Sequence, residues 1–126
     1  SSDLVNDSVD RVTLREDRLV LAGDPHGVWM VREHGSGVRY YTDLYFKTVG
    51  SMPSRMIEVA NNAAIGAALA AGFGCSLVSA AAVPAGVPTR ELGDEFVRRF
   101  YALVPRSGLT PGQRELAGRV IAALRG

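Results

Sequence analysis

The sequence predicts an α/β fold, with a mixed, mostly parallel sheet flanked by helices, on three observations. Between residues 28 and 78, short apolar runs alternate with helical stretches in the order strand, helix, strand, helix, strand. The runs are apolar along their length rather than every second residue, as suits strands buried on both faces of a sheet. The helical stretches are punctuated by polar or glycine residues at their starts and by glycine at their ends.

Composition sets the outer bounds. A chain of 126 residues fits one domain or a piece of a larger one, and 47% apolar residues allow a core. Fourteen basic and thirteen acidic residues leave a net charge of +1. That balance carries no electrostatic footprint for nucleic acid or an anionic membrane. Cys75 is the single cysteine, so an internal disulfide framework is excluded, and its apolar surroundings predict a buried, inert thiol. The longest stretch of low polarity, residues 63–87, is interrupted by Gly66, Gly72, Gly74, Pro84 and Gly86 and does not read as a membrane span. With no signal segment at its start, the chain is expected to be cytoplasmic.

Taken in order, residues 1–10 are polar and read as a connection, with Asp3, Leu4 and Val5 as the possible tail of a strand. Residues 12–14 suggest a short strand. Residues 18–22 suggest a second one, buried in a mostly parallel sheet and stopped by the turn signal Gly23-Asp24-Pro25. Val28-Trp29-Met30-Val31 is the next strand, followed by the polar glycine turn Glu33-His34-Gly35-Ser36-Gly37. A helix then runs from about Val38 to Gly50, which suits a left-handed helix end. Its apolar spacing marks Val38, Tyr41, Leu44, Tyr45 and Thr48 as one face. Four aromatics, Tyr40, Tyr41, Tyr45 and Phe46, crowd this helix. They form either a wide core stripe with some exposed tyrosine, or a cover for a neighbouring domain or subunit.

Residues 55–59 are a further strand, and Asn61 or Asn62 caps the helix over residues 63–71. So little polar surface on that helix predicts that it is mostly buried. Residues 74–78 return as a strand, and 80–88 form a surface connection with one helical turn. Residues 89–92 suit an edge strand and 96–104 a longer one. Thr110, Pro111 and Gln113 have the spacing of a helix start with a capping box. In the helix that follows, Leu116, Ala117, Val120, Ile121 and Leu124 share a face that needs a partner surface.

Strand, glycine turn and helix together are the physical recipe for an anion site. The first N–H groups of a helix lack internal acceptors, and its dipole is positive there. Ser36 and the N–H groups of Gly37, Val38 and Arg39 can donate hydrogen bonds, and the Arg39 guanidinium can add a charge-assisted one. Against this stands a plain tight turn with Arg39 paired to Glu33. Asn61 and Asn62 open the second helix near the same sheet edge, as ligand groups or as simple caps. Catalytic equipment is weak. His34 beside Glu33 is a poor dyad, because adjacent residues rarely aim at one point. Gly35-Ser36-Gly37 lacks the outer glycines of a nucleophile elbow and the third glycine of a dinucleotide fingerprint. No metal or cofactor is called for.

At the level of motifs, Arg32-Glu33-His34-Gly35-Ser36-Gly37-Val38-Arg39 resembles the R-E-P-G-S-G-T-R stretch of LysR-type transcriptional regulators. Residues 58–65 resemble the family's strand, polar residue and helix. Ala71-Gly72-Phe73-Gly74-Cys75-Ser76-Leu77-Val78 is similar to its A-G-L-G-I-A-x-L, and residues 99–111 to its final strand and last helix start. The resemblance covers residues 14–124 in order and spacing. It implies a Rossmann-like lobe of a type 2 periplasmic-binding-protein-like fold, with an effector held between two lobes. Residues 1–97 would supply the second lobe. Residues 98–126 would supply a crossing strand and a terminal helix belonging to the first lobe.

Ser36, Gly37, Val38 and Arg39 would line the effector cleft, with Asn61 and Asn62 on a further turn. The implied partners are a small carboxylate- or phosphate-like effector and further copies of the chain in a homodimer or tetramer. DNA would be reached only through an N-terminal domain that this sequence lacks. The sequence departs from the family in three places. Its connection over residues 24–28 is short, Val38 stands for the usual Thr, and His34 stands for Pro. The alternatives are a solute-receptor domain of the periplasmic binding protein class and a small α/β enzyme working near Ser36.

Overall fold

The computed structural model describes residues 8–125. The strand tail expected at residues 3–5 lies outside them. The described chain forms two compact units, one of Asp17–Val97 and one of the described parts of residues 1–16 and 98–126.

In the Asp17–Val97 unit the sheet order is β3-β2-β4-β1-β5. The strands are β1 (Val9–Gly23, whose second half belongs here), β2 (Trp29–Val31), β3 (Met56–Glu58), β4 (Cys75–Ser79) and β5 (Thr89–Glu91). Helix α1 (Gly37–Val49) connects β2 to β3, and α2 (Asn62–Ala70) connects β3 to β4. β2 lies parallel to both β3 and β4, as two helical crossovers require. β1 inserts between β4 and β5 and runs antiparallel to both. The mixed α/β sheet expected from the sequence is thus present. Leu19, Val20, Leu21 and Ala22 are buried as expected, but in the antiparallel part of the sheet.

Two readings of β1 are corrected. Residues 12–14 and 18–22 are one strand, which starts at Val9 inside the segment expected to be a connection. Between the two apolar runs stand only Arg15, Glu16 and Asp17. Charged residues without glycine or proline leave the backbone free to stay extended where one face meets water.

One core cluster gathers Leu19, Leu21, Trp29, Val31, Phe46, Cys75, Leu77 and Phe96, with Tyr41, Leu44 and Tyr45 packed against it. Trp29 meets Phe46 edge-on at 4.8 Å between ring centroids and Tyr45 at 5.5 Å. Three of the four α1 aromatics therefore belong to this core, and Tyr40 stands outside at 67% exposure. The buried stripe of α1 runs through Arg39, Thr42 and Phe46, offset from the face that apolar spacing indicates. Thr42 can be buried there because its hydroxyl donates to the Val38 carbonyl. Gly50 ends α1 in the left-handed region, at φ 77°.

The second cluster, Ala22, Met30, Ile65 and Leu69, seats α2. That helix is not mostly buried. Only Ile65 and Leu69 are, and Ala63, Ala64, Ala67 and Ala70 face outward. A short helix reaches the sheet with one stripe, and alanines are small enough to remain on the open side.

In the other unit, β6 (Val97–Pro105) pairs with β1, and α3 (Pro111–Arg125) follows. The capping box is formed at both ends. Thr110 Oγ1 accepts from the Gln113 N–H at 3.1 Å, and Gln113 Oε1 accepts from the Thr110 N–H at 2.9 Å. Arg15 and Arg98 lie over the Phe100 ring, and Arg11 over Tyr101. Leu116, Val120 and Leu124 on α3 are 59%, 49% and 56% exposed, so this side of the apolar face indicated by the sequence is open, while Ala117 and Ile121 are half-buried.

Candidate functional site

β2 and β3 run parallel with Val31 opposite Glu58, so both chains leave the sheet at the same carboxyl edge. There the chain after β2 makes the glycine turn and begins α1, and the chain after β3 begins α2. Gly35 takes φ 95°, and the Ser36 N–H donates to the Glu33 carbonyl at 3.2 Å, closing the turn.

Arg32, which local spacing does not single out as a site residue, links the glycine turn to the start of α2. Its Nη1 donates to Asn62 Oδ1 at 2.6 Å, and its Nε and Nη2 donate to the Glu33 carboxylate at 2.9 and 3.3 Å. That pairing holds the Glu33 carboxyl below the usual carboxylate range. No local signal could have found the Arg32–Asn62 contact, because it depends on which strands are neighbours.

Arg39 is buried, and each of its three guanidinium nitrogens is bonded to the protein. Nε donates to Asp43 at 3.0 Å, Nη1 to the Arg32 carbonyl at 2.8 Å, and Nη2 to His34 Nε2 at 3.2 Å. Glu58 lies 4.0 Å away. Glu33 pairs with Arg32, not with Arg39. Arg39 therefore ties the turn to α1. The Asp43 contact is readable as an i, i+4 pair; the contacts to Arg32 and His34 are not.

Ser36 is the N-cap of α1, yet its side chain makes no capping hydrogen bond. The first helical bond runs from the Tyr40 N–H to the Ser36 carbonyl, so the N–H groups of Gly37, Val38 and Arg39 precede the helical ladder. Gly37 is exposed, and Ser36 and Val38 are half-buried. At the other helix start Asn61 Oδ1 caps α2 by accepting from the Ala64 N–H at 2.7 Å. Neither helix carries an acidic residue in its first turn, so neither positive end is neutralised from within. Ser36, Gly37, Val38 and Arg39 are thus brought to one sheet edge with Asn61 and Asn62, through Arg32. A pocket of about 270 Å³ opens elsewhere, at the start of β2 beside Trp29, Tyr45 and Met52. Among the described residues no cluster of His, Cys, Asp or Glu is placed to hold a metal, and no helix is long and apolar enough to cross a membrane.

A short strand, a glycine turn and two helix starts at one edge agree with what the motifs resemble, and the sequence profile of the LysR substrate binding domain matches residues 3–125. The chain belongs to the LysR substrate binding domain family. The fold of this LysR-family chain is periplasmic-binding-protein-like, and solved structures share it. The Synechocystis CcmR regulatory domain, determined in complex with 2-PG, is similar at TM-score 0.64 and 22% identity, over 94% of this chain and 68% of that one. The effector binding domain of QuiR, in complex with shikimate, is similar at TM-score 0.62 and 12% identity, over 93% of this chain and 66% of that one. Full-length CbnR, complexed with its target DNA, matches at TM-score 0.59 and 18% identity, over 94% of this chain and 50% of that one. The LysR-family chain therefore spans about two thirds of the regulatory domains and half of the full-length regulator. A comparison with curated protein sequences gave no significant match.

Proposed function

We propose that this chain is the effector-sensing part of a LysR-type transcriptional regulator, and that it takes a small anionic metabolite at the carboxyl edge of β2 and β3. In this reading residues 1–97 are one wall of an inter-lobe cleft, and residues 98–126 belong structurally to the other lobe. The anionic group meets the Ser36 hydroxyl and the N–H groups of Gly37, Val38 and Arg39, and Asn61 and Asn62 bound the site on the α2 side. Binding then biases one lobe arrangement over another, and with it the geometry of a dimer or tetramer that reaches DNA through a separate N-terminal domain.

The observation that carries this reading is the convergence of two helix starts, joined by Arg32 and without acidic residues of their own, beside a Ser36 side chain that caps nothing. Relatives with bound 2-PG and shikimate support a small-molecule ligand. The enzyme reading has less behind it, because Glu33 is engaged with Arg32 and His34 with Arg39.

The test is a titration of the chain with small carboxylates and phosphates, followed by amide NMR. Saturable shifts confined to residues 36–39 and 61–63 are expected. Ser36→Ala is expected to weaken binding roughly tenfold, as the loss of one hydrogen bond to a charged ligand implies. A well-dispersed spectrum that no ligand perturbs at these residues sinks the reading.

A further inference from the structure

His34 makes a contact whose chemistry depends on its protonation. The Arg39 guanidinium is donor-only, so the 3.2 Å contact from its Nη2 to His34 Nε2 requires a neutral ring with its proton on Nδ1. A proton arriving at Nε2 sets N–H against N–H and cation against cation. The imidazole must then leave Arg39, and one N–H of Nη2 loses its acceptor. The charged groups around this pair are few. Arg39 faces His34 from α1, Asp43 of α1 and Glu58 of β3 lie on Arg39, and the adjacent Glu33 is turned to Arg32. His34 itself is exposed, so solvent can deliver the proton.

We propose that His34 is a positioning residue that couples anion binding at the glycine turn to proton uptake. Neutral His34 accepts from one of the two N–H groups of Arg39 Nη2 and adds no charge to the turn. Protonated His34 releases that N–H and places a second cation on the glycine turn, two residues before Ser36 and the Gly37, Val38 and Arg39 N–H groups. The site then holds an anion more tightly under acidic conditions, and by linkage a bound anion raises the proton affinity of His34. This inference rests on the anion-site reading above.

Sulfate is the probe, because its own charge is constant between about pH 5 and about pH 8, where imidazole side chains in general change theirs. Its affinity is measured by amide shifts at residues 36–39, for the wild-type chain, His34→Gln, which keeps an acceptor at every pH, and His34→Lys, which keeps a charge. The wild type is expected to bind about fivefold or more tightly at the acidic end, as an added charge several ångströms away implies. His34→Gln stays weak and His34→Lys stays tight at both ends. The Arg39 Nε–H signal of the ligand-free wild type should shift over the same interval and stay still in His34→Gln.

A wild-type pH dependence that persists in His34→Gln overturns the inference, since Asp43, Glu33 or Glu58 is then its source. Saturable binding without pH dependence also overturns it, while the anion-site reading stands. No saturable shift in any of the three proteins brings down both, and a shifting Arg39 signal then leaves only the His34–Arg39 contact.

Discussion

Arg39 is buried although it is charged, and the bonds that permit this are directional. A fork of N–H groups reaches the Arg32 carbonyl, Asp43 and His34 at once, which an ammonium on a flexible stem cannot do. Arg39→Lys is therefore expected to destabilise the chain by about 1–3 kcal/mol in urea unfolding, since it breaks up this set of bonds and leaves the part-buried Arg32 carbonyl without its donor. Stability within a few tenths of the wild type would mean that the turn does not depend on this strut. Cys75 is readable from its neighbours as a buried thiol, and it is fully buried. Burial, and secondarily the charge of Asp24, pushes the thiol from its ordinary 9.0 up to about 12. The folded chain should thus resist alkylation by iodoacetamide at about pH 9, where a free thiol reacts readily, and should react once unfolded in guanidinium. Between those two values the unfolded chain releases a proton that the folded chain retains, so stability falls as pH rises through that window. Rapid labelling of the folded chain would place Cys75 in contact with solvent.

Among the elements, those with local causes are legible in the sequence and those set by distant partners are not. The start of α3 can be read because Thr110, Pro111 and Gln113 carry their instruction within four positions, and both reciprocal bonds form. None of the side chains described on α3 is fully buried, and the residues of its first turn are exposed, so these bonds matter at its start. Thr110→Ala should cost about 1 kcal/mol of helix stability and lower the helical NMR shifts of residues 111–115 before those farther along. Unchanged shifts there would show that the cap contributes nothing. Helix α2 illustrates the other case. Its composition reads as a buried helix, yet burial depends on what lies opposite, and only Ile65 and Leu69 find the sheet. In the same way β1 reads as two strands, because its charged middle resembles a break until β4 and β5 are known to pair with its end. At the candidate site the glycine turn and the asparagine cap are legible from spacing, whereas Arg32 and Glu58 come in only through the parallel register of β2 and β3.

At the scale of the molecule, the alternation of strands and helices shows an α/β sheet but not that β1 inserts antiparallel between β4 and β5. That pairing joins residues far apart in sequence, for which no local pattern exists. The division of burial has a consequence for dynamics. In the Asp17–Val97 unit, Leu19, Leu21, Met30, Ile65, Leu77 and Cys75 are at most 1% exposed. In the unit of residues 8–16 and 98–125 no described residue is buried, and ion pairs such as Arg99 to Glu16 and Arg106 to Asp10 are surface pairs of small worth. Few buried apolar contacts mean low-energy local opening. Native-state hydrogen exchange should therefore be slowest at Leu19, Leu21, Met30 and Leu77, with an opening free energy that follows global unfolding as denaturant is added. Amides of β6 and α3 should exchange through smaller openings that denaturant barely affects. If α3 instead proves as protected as β4, its Leu116, Val120 and Leu124 face is covered in solution. Repeating the measurement at higher protein concentration separates the causes, because protection that grows with concentration comes from a second copy and protection that does not comes from the chain itself.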